Sequence, residues 1–471
     1  MFDVIELSVA EYHTALLEKR VTCKEVVSIY LERITTFDEK LRSFIHLSQD
    51  CLKAAQKLDL WLEDNPSDKL PTLFGVPIIL KDTYTTYGLP TTVGSRSLRG
   101  LKSTDAFVVK KLRDAGAVII GKGNVHELCL QGCTFSSLGL QTLNPYDLAR
   151  TPGGSSGGTA AAVAANLAML GCGGDTINSI RSPSSACNLV GLRPTMGQIS
   201  RAGVVPVTWS QDAIGPIGRT VQDVRTLFEV MRGEDPDDEI TGDQQRNIPA
   251  AMPRERKPRI GLLRSYFPGP ESLGEAHIVQ EVMEEALRKL TEIATFVDVA
   301  EDGLPIWFDV PTLLSEVDVQ EFEMRTAVDK FFSSKHVLET PHRTLASVAA
   351  SGDYDQRALT DVFWNTLKPG IDTTNPAYQG RLKRMTLLHE VLRQRFREQN
   401  LDAIAFPHQR RLVMEIGTRN QLDRNGILAS LTGCPSLCIP GTEISFINYK
   451  SIWLISIVQQ LGSVHRQKKH P

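Results

Sequence analysis

Residues 8 to 36, SVAEYHTALLEKRVTCKEVVSIYLERITT, place apolar side chains at helical spacing on either side of a break near Arg20 to Thr22. Two amphipathic helices are predicted there. The run LFGVPIILKDTY (73–84) is short, apolar and closes in charge, the pattern of a buried strand that delivers Lys81 at its end. Asp105 stands where it can cap a helix over AFVVKKLRDA that stops at Gly116, and AVIIGKGN follows as a strand. A helix over 159–170, a Gly-rich turn at 171–174 and a loop at 175–182 come next. Residues 234–258 are polar and proline-rich and predict a linker or surface excursion. Beyond them IGLLRSYF, AHIVQEVMEEALRKLTEI and ATFVDVA repeat the order strand, helix, strand. Such alternation predicts an α/β fold.

The 471 residues exceed the ~250–300 at which single cores stop growing, yet suit one large α/β unit with an insertion. A hydrophobic share of 41%, a charged share of 23% and a formal net charge of -3 describe an ordinary soluble protein. No global charge points to nucleic acid. Eight cysteines in so long a chain suit reduced thiols in a cytosolic setting. The pairs Cys129/Cys133 and Cys434/Cys438 have a C-x3-C spacing, but without the ribbon or finger context of a zinc site. The first twenty residues carry acids where a signal peptide starts basic and lack its apolar core, so a cytoplasmic location is expected.

The stretch TPGGSSGGTAAAVAANLAML (151–170) surrounds two serines with glycines and runs into a helix of small residues. A phosphate-binding P-loop would need a Lys where Thr159 stands. A nucleophile elbow, G-x-S-x-G, would need a preceding strand, and NPYDLARTP is a polar loop instead. A plain Gly/Ser linker would not lead directly into a helix that packs closely and offers its N-terminal N–H groups to an anion.

Residues 173–195, GGDTINSIRSPSSACNLVGLRPT, complete a recognisable pair of stretches. Together they resemble the amidase signature family, whose Ser-rich Gly loop precedes a D-x-G-G-S-I-R segment. GVPIILKDTY, AGAVIIGKGNVHEL, NPYDLARTPGGSSGGTAAAVAA, VGLRPTMGQISRAGVVPV and SQDAIGPIGRTVQDV follow that family's usual order, so the likeness covers roughly residues 1 to 440. The resemblance implies a single large fold with a central mixed β-sheet covered by helices on both faces. It divides the chain into an N-terminal helical segment (1–60), the signature core (61–230), a remainder with variable pocket segments (231–441) and an atypical tail (442–471).

By the same resemblance Ser179 is the nucleophile, Ser155 the bridging serine after a cis peptide bond, and Lys81 the general base. The chemistry agrees with this. A serine hydroxyl needs a base, none of these motifs places a His for that task, and apolar surroundings disfavour an ammonium. Ser156 is expected to support the network. The backbone N–H groups of Thr176, Ile177, Asn178 and Ser179 form the expected oxyanion hole, worth ~3–4 kcal/mol per donor. Ile177-Asn178 replaces the family's Gly-Gly, and a positive φ at the β-branched Ile177 would be strained. Asp175 and Arg181 are expected to order the loop through charge-assisted hydrogen bonds.

His126 and His408 lack metal-ligand spacing and are expected as pocket-lining or structural residues, with Asp212 bracing the loop below the site. LVMEIG and RNGILASLTGCPSLCIPG fit a closing strand and helix. The tail departs from the family: its apolar run Ile452 to Val458 is too short to span a bilayer, and Arg466, Lys468 and Lys469 suggest a frayed end. The expected activity is that of an amidase acting on linear, non-peptide amides through an acyl-serine intermediate. No metal or organic cofactor, nucleic acid or membrane is required, and the partner is a small-molecule amide, with a homodimer permitted. A catalytically silent amidase-like binding protein and the amidase subunit of a tRNA-dependent amidotransferase are the alternatives.

Overall fold

A computed structural model describes residues 2–66, 69–245, 256–269, 273–418, 423–440 and 457–459. The chain opens with helices Val9–Leu17 and Cys23–Leu41, separated where the periodicity breaks. Each starts with a capping box, Ser8 with Glu11 and Thr22 with Glu25, so two otherwise orphaned N–H groups are satisfied at each start.

The centre is an eleven-stranded sheet built from β1 (Phe44–Leu47), β2 (Pro77–Lys81), β3 (Val118–Gly123), β4 (Leu170–Asp175), β5 (Val190–Arg193), β6 (Ala213–Gly218), β7 (Arg259–Leu262), β8 (Thr295–Asp298), β9 (Ala403–Ala405), β10 (Ser436–Cys438) and β11 (Ile457–Gln459). Their spatial order is β1-β3-β2-β4-β6-β5-β10-β11-β9-β7-β8. β2 runs parallel to both β3 and β4, and β7 to both β8 and β9, while the remaining pairs are antiparallel. The sheet is mixed, as expected.

β4 lies where the glycine content suggests a turn. The preceding helix, Gly157–Ala164, is correspondingly shorter than the spacing predicts. Glycine here answers a packing demand rather than a bend: a Cβ on Gly171 would lie 2.4 Å from Thr159 Cγ2, so the helix is seated against bare backbone. Gly173 faces the same way, 3.1 Å from Ser156 Oγ at its Cβ position, whereas the intervening Cys172 Sγ reaches Met231 Sδ of helix Val221–Met231 at 4.0 Å. Successive residues of a strand point to opposite faces, so helices cover both sides.

Three other expectations are corrected. Asp105 does not cap helix Phe107–Asp114, because its carboxylate accepts the Tyr87 N–H at 2.8 Å and pairs with Arg113 at 3.0 Å. Within 234–258 a short helix, Ile240–Gln245, forms, and residues 246–255 lie outside the described residues. In the segment expected to be an atypical tail, Ile457–Gln459 is a strand inserted antiparallel between β9 and β10; Arg466, Lys468 and Lys469 lie outside the described residues.

One buried apolar cluster joins the N-terminal helices to β2, β3 and β4, a second gathers side chains between Leu262 and Cys438, and a third links Val93 to Val207 with Met324 to Phe363. Among the described residues no helix is long and apolar enough to cross a membrane.

Candidate active site

β2 and β4 are parallel neighbours, so their C-terminal ends open on the same edge of the sheet. That edge is where open α/β sheets commonly place ligands. Lys81 is the last residue of β2 and Asp175 the last of β4. The apolar side chains Ile78, Ile79 and Leu80 are fully buried, and Lys81 itself is 2% exposed. The next residue, Asp82, accepts from Thr92 N at 3.0 Å and Gly94 N at 3.3 Å and pairs with the buried Lys122 at 3.1 Å. These bonds lock the strand end that carries Lys81.

Lys81 Nζ donates to Ser155 Oγ at 2.8 Å and to the Gly174 carbonyl at 3.1 Å. Ser155 follows a cis peptide bond from Gly154. Around that turn Gly153 has φ +69, the Gly153 carbonyl accepts from Thr134 Oγ1 at 2.7 Å, and the Ser155 carbonyl accepts the His126 N–H at 3.1 Å. A Cβ on Gly154 would meet Thr134 Oγ1 at 2.6 Å, so a second glycine is needed for close approach. Ser156 Oγ donates to the Gly174 carbonyl at 3.2 Å, and its backbone N–H donates to the Ser179 carbonyl at 3.3 Å, which ties the Gly loop to the segment carrying Ser179.

Ser179 is 9% exposed, and its hydroxyl makes no hydrogen bond among the described residues. Among those residues the backbone N–H groups of Ile177, Asn178 and Ser179 likewise meet no acceptor, whereas the Ile180 N–H donates to Asp175 Oδ2 at 3.1 Å. The strain anticipated at Ile177 is absent: neither Ile177 nor Asn178 adopts positive φ, and the Ile177 side chain packs against the second apolar cluster. Thr176 is held from both ends, its hydroxyl donating to Asp212 at 2.7 Å and its carbonyl accepting from Ser430 Oγ at 2.5 Å. Asp212 also takes the N–H groups of Val207 at 2.8 Å and Thr208 at 3.1 Å, which places it under the loop as expected.

Asp175 and Arg181 form a fully buried bidentate pair with contacts of 3.0 and 3.1 Å. Arg193 adds a second guanidinium at 3.0 Å. Burial alone would raise the Asp175 carboxyl, but the charges of Arg181 and Arg193 and the bonds from Arg181 and Ile180 hold it well below the usual carboxylate range. Arg193 stands in VGLRPT, where the sequence pattern by itself gives the residue no role; the signal was a charge inside an apolar run that becomes β5. Sequence reasoning also passes over Cys129 and Arg424. The Cys129 thiol is raised, first by burial, and lies beside both Ser155 and Lys81. Arg424 Nη1 donates to Asn178 Oδ1 at 3.1 Å.

His126 Nε2 bonds the Ala358 carbonyl at 2.9 Å, and burial pushes its imidazole down to about 4. His408, buried and beside the charges of Arg181 and Arg424, lies well below its ordinary value. Both are neutral at neutral pH and occupy packing positions. None of the eight cysteines forms a disulfide, and no group of three or more His, Cys, Asp or Glu side chains among the described residues is placed to hold a metal.

Known proteins share both this sequence pattern and this fold. The model of the Amidase family matches residues 25–445. The chain is 38% identical over 313 residues to a glutamyl-tRNA(Gln) amidotransferase subunit of Microcystis aeruginosa, a match that covers 64% of this chain and 63% of that protein, so the aligned part spans under two thirds of the relative's length. A glutamyl-tRNA(Gln) amidotransferase subunit of Clostridium acetobutylicum is 29% identical over 93% of this chain and 92% of its own. The solved structure of native peptide amidase from Stenotrophomonas maltophilia superposes with a TM-score of 0.82 at 27% identity, covering 97% of this chain and 93% of that one. The match over most of the sequence, joined to the likeness of fold, shows that the chain belongs to the amidase family.

Proposed function

We propose that the protein is an amidohydrolase in which Ser179, Ser155 and Lys81 act as nucleophile, proton bridge and base. The observation that carries this reading is the 2.8 Å hydrogen bond from Lys81 Nζ to Ser155 Oγ, at the edge where the segment bearing Ser179 is tied back to Ser156. Ser179 Oγ attacks the carboxamide carbon. Its proton passes to Ser155 Oγ, whose own proton passes to Lys81 in its amine form. The tetrahedral oxyanion is met by the N–H groups of Thr176, Ile177, Asn178 and Ser179, each worth ~3–4 kcal/mol at the transition state. Collapse expels the nitrogen, which takes the proton back along the same route and leaves as ammonia or amine. Water then cleaves the acyl-serine by the mirror sequence, with Lys81 again receiving the proton through Ser155. Ser156 orders the Gly loop, and the Asp175–Arg181 pair fixes the nucleophile's turn. No step requires a metal or an organic cofactor.

Intact mass after incubation with a fluorophosphonate tests the reading. A single adduct is expected on the wild type, absent from Ser179→Ala and slowed in Lys81→Ala. Folded wild type that takes up no label would instead favour an amidase-like scaffold that binds without reacting.

The names of the curated relatives motivate a second reading, in which the chain is the glutamine-hydrolysing component of an amidotransferase. Copurification of the tagged chain with further subunits, and glutaminase activity that depends on them, would support it over a free-standing amidase.

A further inference from the structure

The residue before the proposed nucleophile is one at which this chain departs from the Gly-Gly of its motif, and the side chain it gains is engaged. Asn178 is buried and accepts from Arg424 Nη1 at 3.1 Å, a contact between residues 246 apart in sequence. The approach of the two segments depends on Gly426, where an added Cβ would lie 2.4 Å from Asn178 Cβ. Arg424 is therefore fixed one residue from Ser179, on the wall that also holds His126, His408 and Cys133.

That wall is positive. Arg424 influences the charge state of both histidines, and burial together with its charge keeps them neutral. The Cys133 thiol beside the guanidinium is also buried, and burial raises its pKa, which favours the neutral thiol. Of the nearby carboxylates, Asp423 is bonded to Arg410 at 2.9 Å and Arg411 at 2.7 Å, and Asp175 is bonded to Arg181 and Arg193. Burial lowers Arg424 to about 10, the cost of holding a cation in a partly dry recess. An anion arriving there offsets that cost, and a guanidinium has the planar fork that matches a carboxylate.

We propose that Arg424, oriented by Asn178, is a specificity-determining residue that binds a carboxylate carried by the substrate, so that the preferred amides are anionic. This rests on the amidohydrolase reading and adds the substrate class. The neutral imidazoles of His126 and His408 leave the field of the guanidinium undiluted by further ionisation across neutral pH. Asn178 engages one nitrogen of a group with five N–H donors and sets its plane.

Steady-state kinetics with succinamate and glutaramate, each against a neutral branched-alkyl amide of equal length, test the assignment. The wild type is expected to favour the anionic member. In Arg424→Gln its preference should collapse by on the order of 10- to 100-fold through KM, and Arg424→Lys should recover part of it. A second measurement needs no variant: succinate should slow fluorophosphonate labelling of the wild type, and less so as ionic strength rises. Wild type that labels but shows no preference for anionic amides, or an Arg424→Gln loss equal for both members of a pair, overturns the proposal and leaves the hydrolase reading standing. Wild type that does not label at all overturns both.

Discussion

Asp175 and Arg193 are bonded at 3.0 Å although their strands, β4 and β5, are not neighbours: β6 lies between them. The carboxylate thus reaches past a strand edge to a fully buried guanidinium while it also holds Arg181. Removing one partner of such a cluster leaves an uncompensated buried charge. Arg193→Met is expected to cost about 3–5 kcal/mol, measured by urea unfolding, and Asp175→Asn should cost a similar amount because two cations then face each other unneutralised. A loss below about 1 kcal/mol in both would mean that the cluster is hydrated and weak.

Lys81 donates to Ser155 and to the Gly174 carbonyl, so its removal should stop proton transfer without disturbing the sheet. Lys81→Met replaces a buried amine by a side chain of similar length. Turnover of any amide substrate is expected to fall by at least about 10³-fold with unchanged circular dichroism. Ser155→Ala should fall similarly, and the double variant should be little worse than either, because groups acting as one unit are not additive. Additive losses would place the two residues in separate roles.

Glu323, on helix Gln320–Phe332, accepts the Trp209 and Ser210 N–H groups at 3.0 Å each and the Tyr378 hydroxyl at 2.8 Å. Burial raises its carboxyl to about 7, against the opposing bonds from Ser210 and Tyr378. A folded value above the unfolded one favours the protonated form. Its contribution is therefore complete below about pH 4 and is lost as pH rises towards 7, by up to about 1.4 kcal/mol per pH unit. Denaturant midpoints of the wild type and Glu323→Gln, followed from pH 5 to 8, should show the wild type losing stability relative to the variant. Parallel profiles would show that Glu323 ionises as an ordinary carboxyl.

Gly171 leaves no room for a methyl group, since its Cβ would lie 2.4 Å from Thr159 Cγ2. Gly171→Ala is expected to cost about 1–3 kcal/mol by overpacking and to lower activity by displacing the helix that follows Ser155 and Ser156. Gly88, where nothing lies within 4 Å of the added atom but φ is +81, serves as a control for backbone strain alone.

Much of the site is legible from local pattern. An apolar run that ends in a single charge reads as a buried strand presenting Lys81, and the glycines around Ser155 signal a tight turn. The glycines at 171–174 mislead for a physical reason: propensity speaks of bends, while the structure uses the missing Cβ to seat a helix on β4. Asp105 carries cap chemistry in the right place, but Tyr87 and Arg113 compete for the same oxygens. Arg424 has no local signal at all, because its meaning depends on a contact across 246 residues.

The segment bearing Ser179 is held at successive residues by groups from remote parts of the chain. Thr176 is tied to Ser430 across 254 residues, Asn178 to Arg424, and Ile177 to a cluster of side chains that begins at Leu262. During synthesis from the N-terminus, Lys81, Ser155 and Ser179 therefore all leave the ribosome long before the residues that shape their loop exist. A growing chain carries the signature in full and is inert, and competence arrives only once residue 430 has docked.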